Sequence, residues 1–151
     1  MKKIVVAIFI AILIAISTNF HKKDELSIFV SNEGICEFYC EKVLKNSSFI
    51  SSILSSGDGF FVSTNLKSSK KVYDDLLNVK SFKIILNKDF EISKLKMQYI
   101  KTEMVEDMKI SYGFSNFFNN CVCIDGKKAN IQIVERQDKI IIGVPIIMGS
   151  Y

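Results

Sequence analysis

Apolar residues are distributed along this chain in three ways, and each predicts a different element. Ile4 to Ile16 is an unbroken run of Ile, Val, Ala, Phe and Leu behind Lys2 and Lys3. A positive start, a short greasy centre and the Ala15-Ile16-Ser17 ending have the form of a secretory signal peptide. The run is shorter than the roughly 20 residues a membrane-spanning helix requires; extended to Phe20 it makes a marginal uncleaved anchor. Residues 1–17 are therefore read as a signal peptide or an N-terminal hydrophobic helix that anchors the chain, reaching residue 20 if uncleaved. His21-Lys-Lys-Asp-Glu25 is polar and mostly charged, so 18–25 is read as a linker and 26–151 as one domain.

Within that domain, runs of β-branched and aromatic residues between polar breaks predict strands. They are Gly34–Cys40, Phe60–Val62, Phe82–Leu86, Lys101–Val105 and Met108–Phe114; the spacing of Ser47–Ser55 fits a helix as well as a strand, and the Gly57-Asp-Gly59 turn after it favours strand. Leu26–Val30 fits a strand or a short helix. Gly57-Asp-Gly59 and Glu106-Asp107 are predicted turns. Two stretches have helical spacing instead. Leu66 to Val79 brings Leu66, Ser69, Tyr73, Leu76 and Leu77 to one side, with Thr64 or Asn65 as the N-terminal cap. Glu91 to Ile100 does the same through Ile92, Leu95 and Tyr99, with Asp89 as its cap. Phe60 to Leu86 is thus a predicted strand–helix–strand unit.

The C-terminal region is the most regular. Ala129, Ile131 and Ile133 alternate with Asn130 and Gln132, giving one apolar and one polar strand face. Asp125-Gly126 separates this stretch from Cys121–Ile124; such a pair accepts the positive φ values of a tight hairpin. After Arg136-Gln-Asp138, Ile140 to Ile147 is almost wholly apolar, as in a strand buried on both faces. Pro145 has no N–H for a ladder and is expected at an edge or bulge. A meander of three antiparallel strands follows.

Asn130-Ile-Gln-Ile133, the polar turn, Ile142-Gly-Val-Pro-Ile146 and the closing Ser150-Tyr151 resemble the C-terminal signature of the YwmB family of spore-forming Firmicutes, with Phe114-Ser-Asn-Phe-Phe118 as an upstream extension. The sequence departs from that pattern at Val144, where a threonine is expected. The resemblance implies a TATA-box-binding-protein-like fold and brings no catalytic residues with it. The combined expectation is an α+β domain: a curved, mostly antiparallel sheet of seven or so strands with two helices on one face.

Charge narrows the class of partner. The chain carries +4; losing Lys2 and Lys3 with a leader takes +4 to +2. That is too little for a nucleic-acid footprint, and Arg136 is the sole arginine where bidentate phosphate or guanine recognition would favour several. A nucleic-acid partner is not expected.

The cysteines are the most tempting chemistry. Cys36 and Cys40 are four apart, and Cys121 and Cys123 two apart, so strand periodicity puts each pair on one face. They fit buried free thiols, cross-strand disulfides if their strands lie side by side, or a thiol or metal site. Cys-x-Cys is a poor half of a zinc site, and no metal or other cofactor is expected. His21, the lone histidine, lies in the linker and suits neither a triad nor a metal. Asp74-Asp75 and the Glu103, Glu106, Asp107 group read as polar helix face and turn. Tyr112, Phe114, Phe117 and Phe118 read as core or as a recognition patch.

The sequence therefore predicts a non-enzymatic, exported or membrane-anchored envelope domain that binds another envelope or cell-wall protein. Asn130 and Gln132 on the polar strand face, with Arg136 on the adjoining loop, are the expected contact surface. The alternative is an envelope thiol, disulfide or metal-binding protein using Cys36/Cys40 and Cys121/Cys123.

Overall fold

The computed structural model describes residues 24–150. The leader or anchor at 1–20, the helix expected there and His21 lie outside the described residues. No helix among the described residues is long and apolar enough to cross a membrane.

The domain is α+β. Ten strands form an eight-stranded and a two-stranded sheet, with every pairing antiparallel. They are β1 (Gly34–Val43), β2 (Ile50–Ser56), β3 (Gly59–Asn65), β4 (Leu76–Asn87), β5 (Gln98–Val105), β6 (Met108–Phe114), β7 (Val122–Ile124), β8 (Lys127–Ala129), β9 (Ile131–Glu135) and β10 (Lys139–Val144). The large sheet runs β2-β3-β1-β4-β10-β9-β6-β5. β3 and β4 are both antiparallel to β1, so they are parallel to each other with β1 between them. The predicted strand–helix–strand unit exists in this form, with helix α1 (Ser69–Tyr73) in its connection.

The two predicted helices are corrected. Asn65 does cap: its Oδ1 accepts from the Lys67 N–H at 2.9 Å. The helical stretch it opens is only a 3-10 turn, Leu66–Ser68, and the five residues of α1. From Leu76 the chain is strand, because Leu76 to Leu86 forms a long ladder with β1. Val72, Leu76 and Val79, spaced as on a helix, reach the core from two different elements. The second helix is a 3-10 turn at Ile92–Leu95, without an Asp89 cap; it stops where Lys96 takes φ 46° and Gln98 joins β6. Leu26–Ile28 is likewise a 3-10 turn. Propensity yields here to ladder pairing, which satisfies the same backbone groups while burying a whole strand.

One sheet face, called inner here, holds the main core. Cys36, Phe38, Val62, Ile84, Ile131, Ile133 and Ile142 are buried there under Leu26, Phe29, Leu66, Val72 and Leu95 from the helical turns. The outer face carries a smaller cluster, Ile110, Val134, Ile141 and Ile147. Ile147 belongs to a tail that leaves β10 after a cis Val144–Pro145 peptide and turns back over the sheet. β10 is central and its Ile140, Ile141 and Ile142 are all buried, as their unbroken apolarity predicts. Pro145 lies just past the strand rather than within it, where its missing N–H removes no ladder bond.

Candidate functional site

The cysteine pairs lie on separate sheets. β1 pairs with β3 and β4, whereas β7 pairs only with β8 in the small sheet. Cys36 and Cys40 do share a face, as their spacing predicts, and both are buried in the core. Burial pushes the Cys36 thiol well up, with the neighbouring Glu37 carboxylate adding to it, and burial also raises Cys40. Both are therefore protonated and unreactive at neutral pH. Cys121 and Cys123 are exposed, and all four are free. A cross-strand disulfide between the pairs is thus ruled out by topology. Among the described residues, no three of His, Cys, Asp and Glu come together in an arrangement that could hold a metal.

Asn130 and Gln132 do not form an exposed polar face: they are 0% and 2% exposed. The period-two pattern is real, but the face opposite Ile131 and Ile133 is covered. Gln132 Oε1 accepts from the Ile147 N–H at 2.9 Å, which holds the C-terminal tail over the sheet. Asn130 Oδ1 accepts from the Ser115 N–H at 2.7 Å, while its Nδ2 donates to the Ser115 and Phe118 carbonyls at 2.8 and 2.6 Å. Both amides thus replace water for backbone groups of neighbouring loops. Arg136 is half-buried in an open cleft of about 510 Å³ between two hairpin turns, lined also by Asp107, Gln137, Asp138 and Lys139.

The aromatic group divides. Phe118 is core, stacked at 6.3 Å on Phe29. Phe117 is exposed beneath the Lys96 ammonium, and Tyr112 donates to Glu103 at 3.2 Å on the opposite side of the sheet. Glu106 and Asp107 occupy the β5–β6 turn and Asp74 ends α1, so the acids take up ordinary polar positions. Glu25, assigned to the linker by its charged neighbours, is buried and belongs to the domain. Its Oε1 accepts from both the backbone N–H and the side-chain amide of Asn119, at 3.0 and 3.1 Å.

The surface that sequence reasoning missed lies at the β2 end of the sheet. On the outer face, Leu54 is opposite Phe61 and Phe61 opposite Tyr39 in register. The Tyr39 and Phe61 rings are 4.9 Å apart, the Lys80 ammonium lies 5.6 Å over Tyr39, and Gly149 of the tail abuts Phe61. Leu54 is 64% exposed, and Ile35 on the same face is exposed too. The patch is bordered by the Glu37–Lys83 ion pair at 2.7 Å. An apolar, aromatic centre beside fixed charges is the composition of a protein-contact surface. Its signal in the sequence is Ile35 and Tyr39 of β1 and Phe61 of β3, apolar or aromatic residues on a face that also carries Glu37 and Ser63 and that periodicity alone would leave to water. In comparisons with known proteins, the chain matches no family model, no curated protein and no solved structure.

Proposed function

We propose that this chain is an exported or membrane-anchored cell-envelope domain that works without catalysis, by binding another envelope or cell-wall protein. The hydrophobic run at 4–16 behind two lysines supports the location. The YwmB resemblance, with its TATA-box-binding-protein-like fold, supports a place in spore-forming cells. The binding reading rests on one observation, the Tyr39–Phe61 aromatic pair beside exposed Leu54 on the outer face. Flat aromatic side chains lose little conformational freedom on docking and bury large areas, so they anchor protein contacts. Arg136, in its open cleft, is a second contact point in this reading.

The test is capture by crosslinking in vegetative and sporulating cells, comparing the unaltered chain with Tyr39→Ala and Lys80→Glu. One envelope protein captured by the unaltered chain, and about tenfold less by Tyr39→Ala at equal abundance and unchanged fold, is the expected outcome. Identical capture by all three, or an intact chain recovered from the cytosol, would sink the proposal.

A further inference from the structure

The two edges of the large sheet are unlike. β5 carries Lys101 and Glu103, paired at 3.1 Å, and its register shifts between Tyr99 and Lys101. Charges and bulges are how sheet edges resist pairing. β2, Ile-Ser-Ser-Ile-Leu-Ser-Ser, has neither charge nor proline, and every residue after Ile50 is exposed. Its own irregularity lies at Ser51, ahead of the regular stretch 52–56.

The geometry of that stretch fixes how it can pair. β2 and β3 are joined by the two-residue turn Gly57-Asp58, closing on the Ser56–Gly59 pair. In an antiparallel ladder, alternate residues bond toward one neighbour. Ser52, Leu54 and Ser56 therefore bond inward to β3, while Ile53 and Ser55 direct their N–H and C=O outward. A two-fold axis through Leu54 sets Ile53 against Ser55 of a second copy, so these outward groups satisfy one another. On the outer face it sets Leu54 against Leu54, with Ser52 opposite Ser56 on either side. Beyond the Ser52–Ser56 pair, the irregularity at Ser51 brings Ile50 of one copy up to the Gly57-Asp58 turn of the other. There the Lys71 ammonium lies 4.7 Å from the ring of Phe49, next in the chain to Ile50. Each copy thus offers an anion at one end of the edge and a cation at the other, which is the complementarity an antiparallel self-pair requires.

We infer that β2 is a homodimer edge: two copies of this chain join through antiparallel β2–β2 pairing about Leu54, making their two eight-stranded sheets continuous. This goes beyond the proposed function, since it uses the edge and leaves the Tyr39–Phe61 pair on the outer face free. A chain that dimerises but captures no envelope protein would overturn that proposal and leave this inference standing.

The test uses the full chain, purified in mild detergent. Sedimentation should give the mass of two chains, falling to one in Leu54→Lys, which puts two ammonium groups on the axis without touching the core. In a background carrying Cys121→Ser and Cys123→Ser, Leu54→Cys should crosslink to itself on oxidation about tenfold more than Met104→Cys on the other edge, because facing strand positions meet disulfide geometry. Asp58→Lys and Lys71→Asp should each weaken the dimer several-fold, and the two together should restore it. An unaltered chain that sediments as one copy overturns the inference, as do equal crosslinking from both edges and a peptide from another protein on β2.

Discussion

Glu25 and Asn119 are joined across most of the domain: one carboxylate oxygen of Glu25 accepts from both the backbone N–H and the side-chain amide of Asn119, 94 residues later in the chain. Glu25 is 5% exposed, so this contact fastens the start of the described domain to the loop between β6 and β7. Glu25→Ala leaves a part-buried N–H without its acceptor. A destabilisation of about 1–3 kcal/mol is expected, read as a lower urea midpoint at unchanged slope. The preceding residue, Asp24, is exposed, and Asp24→Ala should leave that midpoint where it is.

Tyr73 packs edge-on to Phe38, with ring centroids 5.9 Å apart. Burial, with the nearby Glu25 and Asp74 carboxylates adding to it, pushes its hydroxyl from 10.0 up to about 12. Between those values the unfolded chain has lost the proton that the folded chain still holds, so stability must fall as pH rises. The contribution is intact below pH 10 and is lost through about pH 12, amounting to about 2–3 kcal/mol. Denaturant melts of the unaltered chain and Tyr73→Phe across that window should diverge. Parallel curves would contradict the assignment.

Two of the four thiols should react in the folded protein. Cys121 and Cys123 are exposed, whereas Cys36 and Cys40 are buried and held protonated. Alkylation at about pH 8 followed by mass spectrometry should add two labels to the native chain and four in denaturant. Labelling of Cys36 in the native state would show that β1 opens.

Asn130 serves three backbone groups of the segment from Ser115 to Phe118 at once. Asn130→Ala strands all three in a buried site, and a loss of about 2–5 kcal/mol is expected from chemical unfolding. Asn130→Asp keeps the acceptor for the Ser115 N–H but sets a second acceptor oxygen, charged and buried, against the Ser115 and Phe118 carbonyls, so it should be at least as destabilising as Asn130→Ala at neutral pH.

Gly143 lets the C-terminal tail touch the sheet. A Cβ there would lie 2.6 Å from the Ile146 carbonyl carbon, closer than any side chain tolerates. Gly143→Ala should cost about 1–3 kcal/mol. It should also release the Ile147 amide from Gln132, seen as faster hydrogen exchange at that amide than at the β10 amides.

The sequence alone determined what local periodicity and turn chemistry encode. The strands at Gly34–Cys40, Phe60–Val62 and Met108–Phe114, the Asp125-Gly126 hairpin with both φ values positive, the Asn65 cap and the doubly buried Ile140–Ile142 all follow from residues a few positions apart. The tertiary structure alone decided which face each strand presents and to whom. Leu76–Val79 became strand because β1 offered it a ladder, and Gln132 became buried because a tail crossed its polar face. Glu25 became part of the domain because Asn119 reached it, and β2 became an open edge because no other strand of the described chain lies beyond it. The physical reason is common to all four. A backbone or side-chain group is satisfied equally well by water or by a distant residue, and only the folded chain selects between them.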